Sequence, residues 1–103
     1  MNDQNLSSPL LSKYLRAYEL SPNSRVFAPL AETYRKMGDV KKALKILKVG
    51  IKNNPTYSVG YMALANCYFD LNEFHLAYST LRPIIGNHRD NIRMQKLFAE
   101  TCF

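Results

Sequence analysis

An all-α fold of stacked helical hairpins is predicted by three observations. The first is a repeat of 34 residues. Phe27 corresponds to Tyr61, Leu30 to Leu64, Ala31 to Ala65, Tyr34 to Tyr68, Gly38 to Asn72, Ala43 to Ala77 and Leu47 to Leu81. The second is the spacing within each set: 27, 30, 31 and 34 follow the i, i+3, i+4, i+7 rule that lines one helix face. The third is that small and large residues recur at fixed places, as they must when two helices interlock closely and then stack on the next pair.

The elements follow in order. Residues 1–8 are polar and expected to be flexible. Ser8-Pro9 reads as an N-cap followed by proline at the first helical position. It opens a leading helix over 9–22 with Leu10, Leu11, Tyr14, Ala17 and Tyr18 on its apolar side, broken by Ser21-Pro22-Asn23. The first repeat spans 24–57, with a helix from about Ser24 to Met37, a left-handed residue at Gly38, a helix from Val40 to Asn53 and a stop at Asn54-Pro55. The second spans 58–91, with a helix from Ser58 to Leu71, a turn at Asn72-Glu73 and a helix from Phe74 onward. Asn72 can replace Gly38 because asparagine also visits the left-handed region. Residues 92–103 form a closing helix or the start of a third repeat, entered from about Asp90, with Phe98, Ala99 and Cys102 toward the core. Pro29 lies near a helix start, where its missing N–H costs little, whereas Pro83 is expected to kink or end its helix near Arg82, an effect of about 3 kcal/mol if unrelieved.

Bulk properties bound the class. The 103 residues suit one small domain, and 47% apolar with 21% charged residues is a globular composition. A net charge of +6 and a pI near 9.5 draw acidic partners at low salt. Cys67 and Cys102 are the only cysteines, and each is read as a buried, reduced thiol. No ligand-like spacing joins them to His75 or His88, so no metal or cofactor is expected. The N-terminus has neither the charged nor the apolar region of a signal peptide, and no apolar run approaches the ~20 residues of a spanning helix. The expected location is the cytoplasm, without membrane insertion.

The repeat resembles the tetratricopeptide repeat. Counted from Ser24, the chain supplies Phe27, Leu30, Ala31, Tyr34, Gly38, Ala43, Leu47 and Pro55 at that family's positions. Counted from Ser58, it supplies Tyr61, Leu64, Ala65, Tyr68, Asn72, Ala77 and Leu81, without the closing proline. The resemblance implies a right-handed helix-turn-helix solenoid, with two repeats and flanking helices, that acts as a protein–protein interaction scaffold rather than an enzyme. It also implies a concave groove lined by the first helix of each pair. At the corresponding positions stand Arg25, Ala28, Glu32, Arg35 and Lys36, then Val59, Met62, Asn66, Phe69 and Asp70, then Arg93, Lys96, Glu100 and Phe103. The expected partner-binding set is Arg25, Glu32, Arg35, Lys36, Val59, Met62, Asn66, Phe69, Arg93 and Lys96. Met62 and Phe69 are large apolar residues at positions free of packing demands, though a small helix rotation would place both in the core. Asn66 between them offers a donor and an acceptor to a peptide backbone. The expected ligand is a peptide or helix of a partner protein with acidic flanks. Repeats of this family that bind chaperone tails carry Lys and Asn where this chain has Ala28 and Glu32, Asn where it has Ala63, and Lys and Arg where it has Arg93 and Leu97; only Arg93 fits, which argues against that ligand.

Two other readings compete. The leading and closing helices each lack a packing partner, which favours self-association within a larger assembly, and an end so early in a repeat is expected of a piece of a longer protein. Lys41, Lys42, Lys45, Lys48 and Lys52 line one side of a single helix, as a solvated face does. Such a stripe also suits salt-sensitive, sequence-blind nucleic-acid binding, but no aromatic interleaves it to stack bases. No catalytic triad setting or phosphate-cradling glycine loop is present in the sequence.

Overall fold

The computed structural model describes residues 3–101, excepting the side chains of 3–8. Among these residues there are six helices and no strand. They are α1 (Asp3–Leu20), α2 (Phe27–Lys36), α3 (Val40–Asn53), α4 (Ser58–Asp70), α5 (Phe74–Ile85) and α6 (Ile92–Thr101). Each packs against its predecessor. In addition α2 packs on α4 and α4 on α6, whereas among the described residues no Cα atoms of α1, α3 and α5 come within 8 Å of one another. The helices therefore form an inner layer in contact and an outer layer splayed apart, and the stack curves toward the inner layer.

Both helical hairpins close in the same way. Gly38 (φ 91°) and Asn72 (φ 60°) adopt the left-handed conformation. The Asp39 N–H donates to the Tyr34 carbonyl at 2.9 Å and the Gly38 N–H to Arg35 at 3.0 Å. Glu73 and Asn72 repeat these bonds onto Tyr68 and Phe69 at 2.8 and 3.0 Å. This is the Schellman arrangement, which satisfies carbonyls that a helix end leaves open. Asp39 then caps α3, its carboxylate accepting from the Lys42 N–H at 3.2 Å.

Two buried clusters follow from the periodic positions. Phe27, Ala28, Ala31, Ala43, Leu47, Ala63 and Cys67 hold α2, α3 and α4 together. Ala65, Ala77, Leu81 and Met94 hold α4, α5 and α6. Phe27 reaches so deep that it lies against Gly50 of α3 and Gly60 of α4, and its ring meets Tyr57 edge-on with centroids 6.0 Å apart. Burial raises the Cys67 thiol pKa to about 12. It is thus a protonated packing residue, as expected; Cys102 lies outside the described residues.

Several expectations change. The first helix starts at Asp3 rather than Pro9, so Ser8-Pro9 is not its cap. Along it Leu10 is exposed, while Leu15 is half-buried beside Leu11, Tyr14, Ala17 and Tyr18. Helix α2 begins at Phe27, three residues later than expected, because Ser21–Arg25 close a turn through the Ser24 N–H to Ser21 carbonyl bond (3.0 Å). Pro29 then falls in the first turn of α2, where its missing N–H has no intrahelical acceptor to lose. Pro83 does not end α5, which continues to Ile85. The proline sits in the last turn on the exposed side, where water can serve the Ser79 carbonyl.

The closing helix begins at Ile92, with Asn91 as its cap: Asn91 Oδ1 accepts from the Met94 N–H at 3.0 Å. Gln95 Nε2 reaches back to the Ile85 and His88 carbonyls, at 3.2 and 2.9 Å, and so satisfies the end of α5. Met94 and Thr101 are the buried residues of α6; Phe98 is half-buried and Ala99 exposed. Ala99 corresponds to Ala65, which packs on the second helix of its own hairpin, and the described residues place no such helix after α6.

Candidate functional site

An open groove of about 320 Å³ lies on the inner layer. Its floor is α4, where Val59, Met62, Ala63 and Asn66 form an i, i+3, i+4, i+7 stripe on one face. Glu32 of α2 forms one wall; Asn91 and Arg93 at the start of α6 form the other.

Glu32 is held in place by Arg35 one turn along. Arg35 Nε lies 2.8 Å from Glu32 Oε1 and Nη2 lies 3.1 Å from Oε2, while Nη1 reaches Asp70 Oδ2 of α4 at 2.7 Å. The forked geometry suits two parallel charge-assisted bonds to one carboxylate. The hydrogen bonds that Arg35 donates to Glu32 raise its pKa well above the ordinary value; burial opposes this and Asp70 adds to it. Arg35 is thus a strap between α2 and α4. Replacing it with alanine leaves both carboxylates unpaired and is expected to lower stability by roughly 1–2 kcal/mol, read as a fall in the urea midpoint at unchanged slope.

On the opposite wall, Asn91 Nδ2 donates weakly to Met62 Sδ at 3.7 Å, which fixes the thioether at the groove floor. Met62 is half-buried and packs against the second core while also lining the groove. The Asn66 side chain makes no hydrogen bond and Arg93 no ion pair among the described residues. The groove thus offers an apolar floor, a free amide at its centre and a free cation at one rim.

Five residues singled out from the sequence converge here: Glu32, Val59, Met62, Asn66 and Arg93. The others lie elsewhere. The Arg25 guanidinium sits over the Tyr57 ring at 4.6 Å. Arg35 stands behind Glu32, with its charge already engaged. Phe69 packs edge-on against Phe74 at 4.9 Å. Lys36 and Lys96 are exposed outside the groove lining, and Phe103 lies outside the described residues. Ala63 and Asn91 escape the sequence reading. Ala63 was legible as the i+4 neighbour of Val59, and Asn91 as a cap residue before an apolar-periodic run.

Among the described residues no three His, Cys, Asp or Glu side chains are grouped to hold a metal. None of the described helices is long and apolar enough to cross a membrane.

An inner layer of contacting helices, hairpins closed by left-handed residues and a groove along the first helix of each pair define a helical-repeat protein. The sequence profile of the tetratricopeptide repeat matches residues 36–100, and the chain belongs to that family. Repeats of this family generally mediate protein–protein interaction and are typically non-catalytic scaffolds. The crystal structure of MamA has the same fold: the TM-score is 0.78 over 96% of this chain, at 18% sequence identity. The chain spans 58% of the length of that MamA chain. No curated protein matches it in sequence.

Proposed function

We propose that the inner groove binds a short segment of a partner protein, an extended peptide or one face of a helix. The observation that carries this reading is the pairing of an apolar floor with two polar side chains, Asn66 and Arg93, that have no partner among the described residues. An apolar side chain of the ligand covers Val59, Met62 and Ala63. The Asn66 amide bonds the ligand backbone, and a carboxylate on the ligand meets Arg93. Of the cations in the expected partner-binding set, Arg35 is excluded because Glu32 and Asp70 already hold it.

The test is capture from a nuclease-treated lysate of the native cell, comparing wild type with Asn66→Ala/Arg93→Ala and with Phe69→Ala. The first variant removes only solvent-facing groups of the groove, and the second alters a residue outside it. A protein retained by wild type and Phe69→Ala but reduced at least tenfold with Asn66→Ala/Arg93→Ala supports the groove. Retention by all three in equal amount overturns it.

A further inference from the structure

The outer layer carries a second surface. The chain has fourteen Lys and Arg against eight Asp and Glu, a net charge of +6. Helix α3 alone contributes five lysines and no acid, so the rest of the chain is nearly neutral and the charge excess resides on one helix. Lys41, Lys45, Lys48 and Lys52 recur at i, i+4, i+7, i+11. At 100° per residue they fall within an arc of about 60° and along about 16 Å of helix. All four are exposed, and none makes an ion pair among the described residues.

This row faces a trough. Helices α3 and α5 both pack on α4, and no Cα atoms of the two come within 8 Å of each other. Ile51 marks the side of α3 against α4, since its Cγ1 lies 3.2 Å from where a Cβ on Gly60 would stand. The lysine row begins about 60° beyond Ile51 around the helix. On α5, Ile85 marks the side toward α6, where it packs in the cluster around Met94. Leu76, Thr80 and Pro83, at i, i+4, i+7, lie roughly opposite Ile85 and so face α3. Leu76 is 42% exposed, and the Thr80 hydroxyl is turned back onto the Leu76 carbonyl at 2.8 Å, which leaves this wall apolar. The trough thus has one cationic wall and one apolar wall.

We propose that this outer trough docks an acidic amphipathic helix of a partner protein, independently of the inner groove. Glutamates one turn apart on such a helix match the lysine spacing, and its leucines cover Leu76 and Pro83. Charge complementarity favours this occupant over a second copy, because no described helix of this chain carries a row of acids. A nucleic acid would find cations on one wall only and no aromatic platform on either.

The test uses a synthetic helical peptide with glutamates at i, i+4, i+7, i+11 and leucines on the adjoining stripe, and a control with glutamine for glutamate. Titration is followed by fluorescence anisotropy and amide NMR shifts, with melting curves confirming that each variant is folded. Saturable binding is expected, with shifts on α3 and α5. Lys45→Ala/Lys48→Ala and Leu76→Glu should each weaken it at least tenfold, Asn66→Ala should leave it unchanged, and the glutamine control should bind at least tenfold more weakly. Equal binding of both peptides, or indifference to Leu76→Glu, overturns the proposal. So does tighter binding to duplex DNA or phosphatidylserine vesicles that falls with the lysine changes alone.

Discussion

Gly50→Ala is expected to destabilise the protein by roughly 2–3 kcal/mol, although alanine is the better helix former by about 1 kcal/mol. An added Cβ would fall inside the Phe27 ring, against its Cγ and Cδ atoms, and the ring cannot swing away. Its far end is already against Gly60, where a Cβ would stand 2.9 Å from Phe27 Cζ, and Tyr57 closes its edge. For a domain of this size the melting temperature should fall by roughly 10 °C or more. Phe27→Leu is the diagnostic companion. Alone it leaves a cavity and destabilises, but combined with Gly50→Ala it gives back room for the methyl. The double variant should therefore be more stable than the sum of the two single losses predicts. Strict additivity in a urea-denaturation cycle would mean that the ring is not what forbids a side chain at position 50.

Met94→Ala is the second large effect, expected at roughly 2–4 kcal/mol from lost burial and residual cavity. Met94 is fully buried and is the only α6 residue among the fully buried members of the second cluster. Its loss also loosens Asn91 and Arg93, which stand three residues and one residue from it and form a wall of the inner groove. Partner binding in that groove should weaken together with stability, whereas a peptide docked in the outer trough between α3 and α5 should be held as before. Hydrogen exchange should show α6 amides opening ahead of those in α2 and α4. Uniform loss of protection along the whole chain would contradict this.

Much of the fold was legible because the 34-residue repeat constrains packing residues directly. The bounds of α3, the positive φ at Gly38 and Asn72, and the burial of Ala31, Ala43, Leu47, Ala65, Ala77 and Leu81 all follow from it. Helix starts were less legible. Local chemistry at Ser8-Pro9 suggests a cap, but contacts elsewhere decide whether a helix uses it. The site was half legible. Val59, Met62 and Asn66 share one helix face, so spacing alone groups them. The Arg35–Asp70 pair joins residues 35 apart in sequence, and only the relative height of α2 and α4 brings them to 2.7 Å. Phe69 was misplaced for a similar reason: its partner Phe74 comes from across the turn, and the 4.9 Å ring contact draws it away from the groove. Gly50 and Gly60 carried a signal that went unused, since a glycine inside a helix commonly marks a close approach.

The unequal contact of the two layers sets where this molecule is stiff. Packing locks α2, α4 and α6 together, and the Arg35 strap adds a polar tie between the first two. The spacing of α3 and α5 is set only through α4. Bending therefore leaves the inner face nearly unchanged in width and is taken up by the outer one. The proposed inner ligand would meet a surface already shaped for it and give up little freedom in binding. The proposed outer ligand would act as a wedge or clamp that sets the pitch of the stack, and through the pitch the direction in which any neighbouring repeat would be carried.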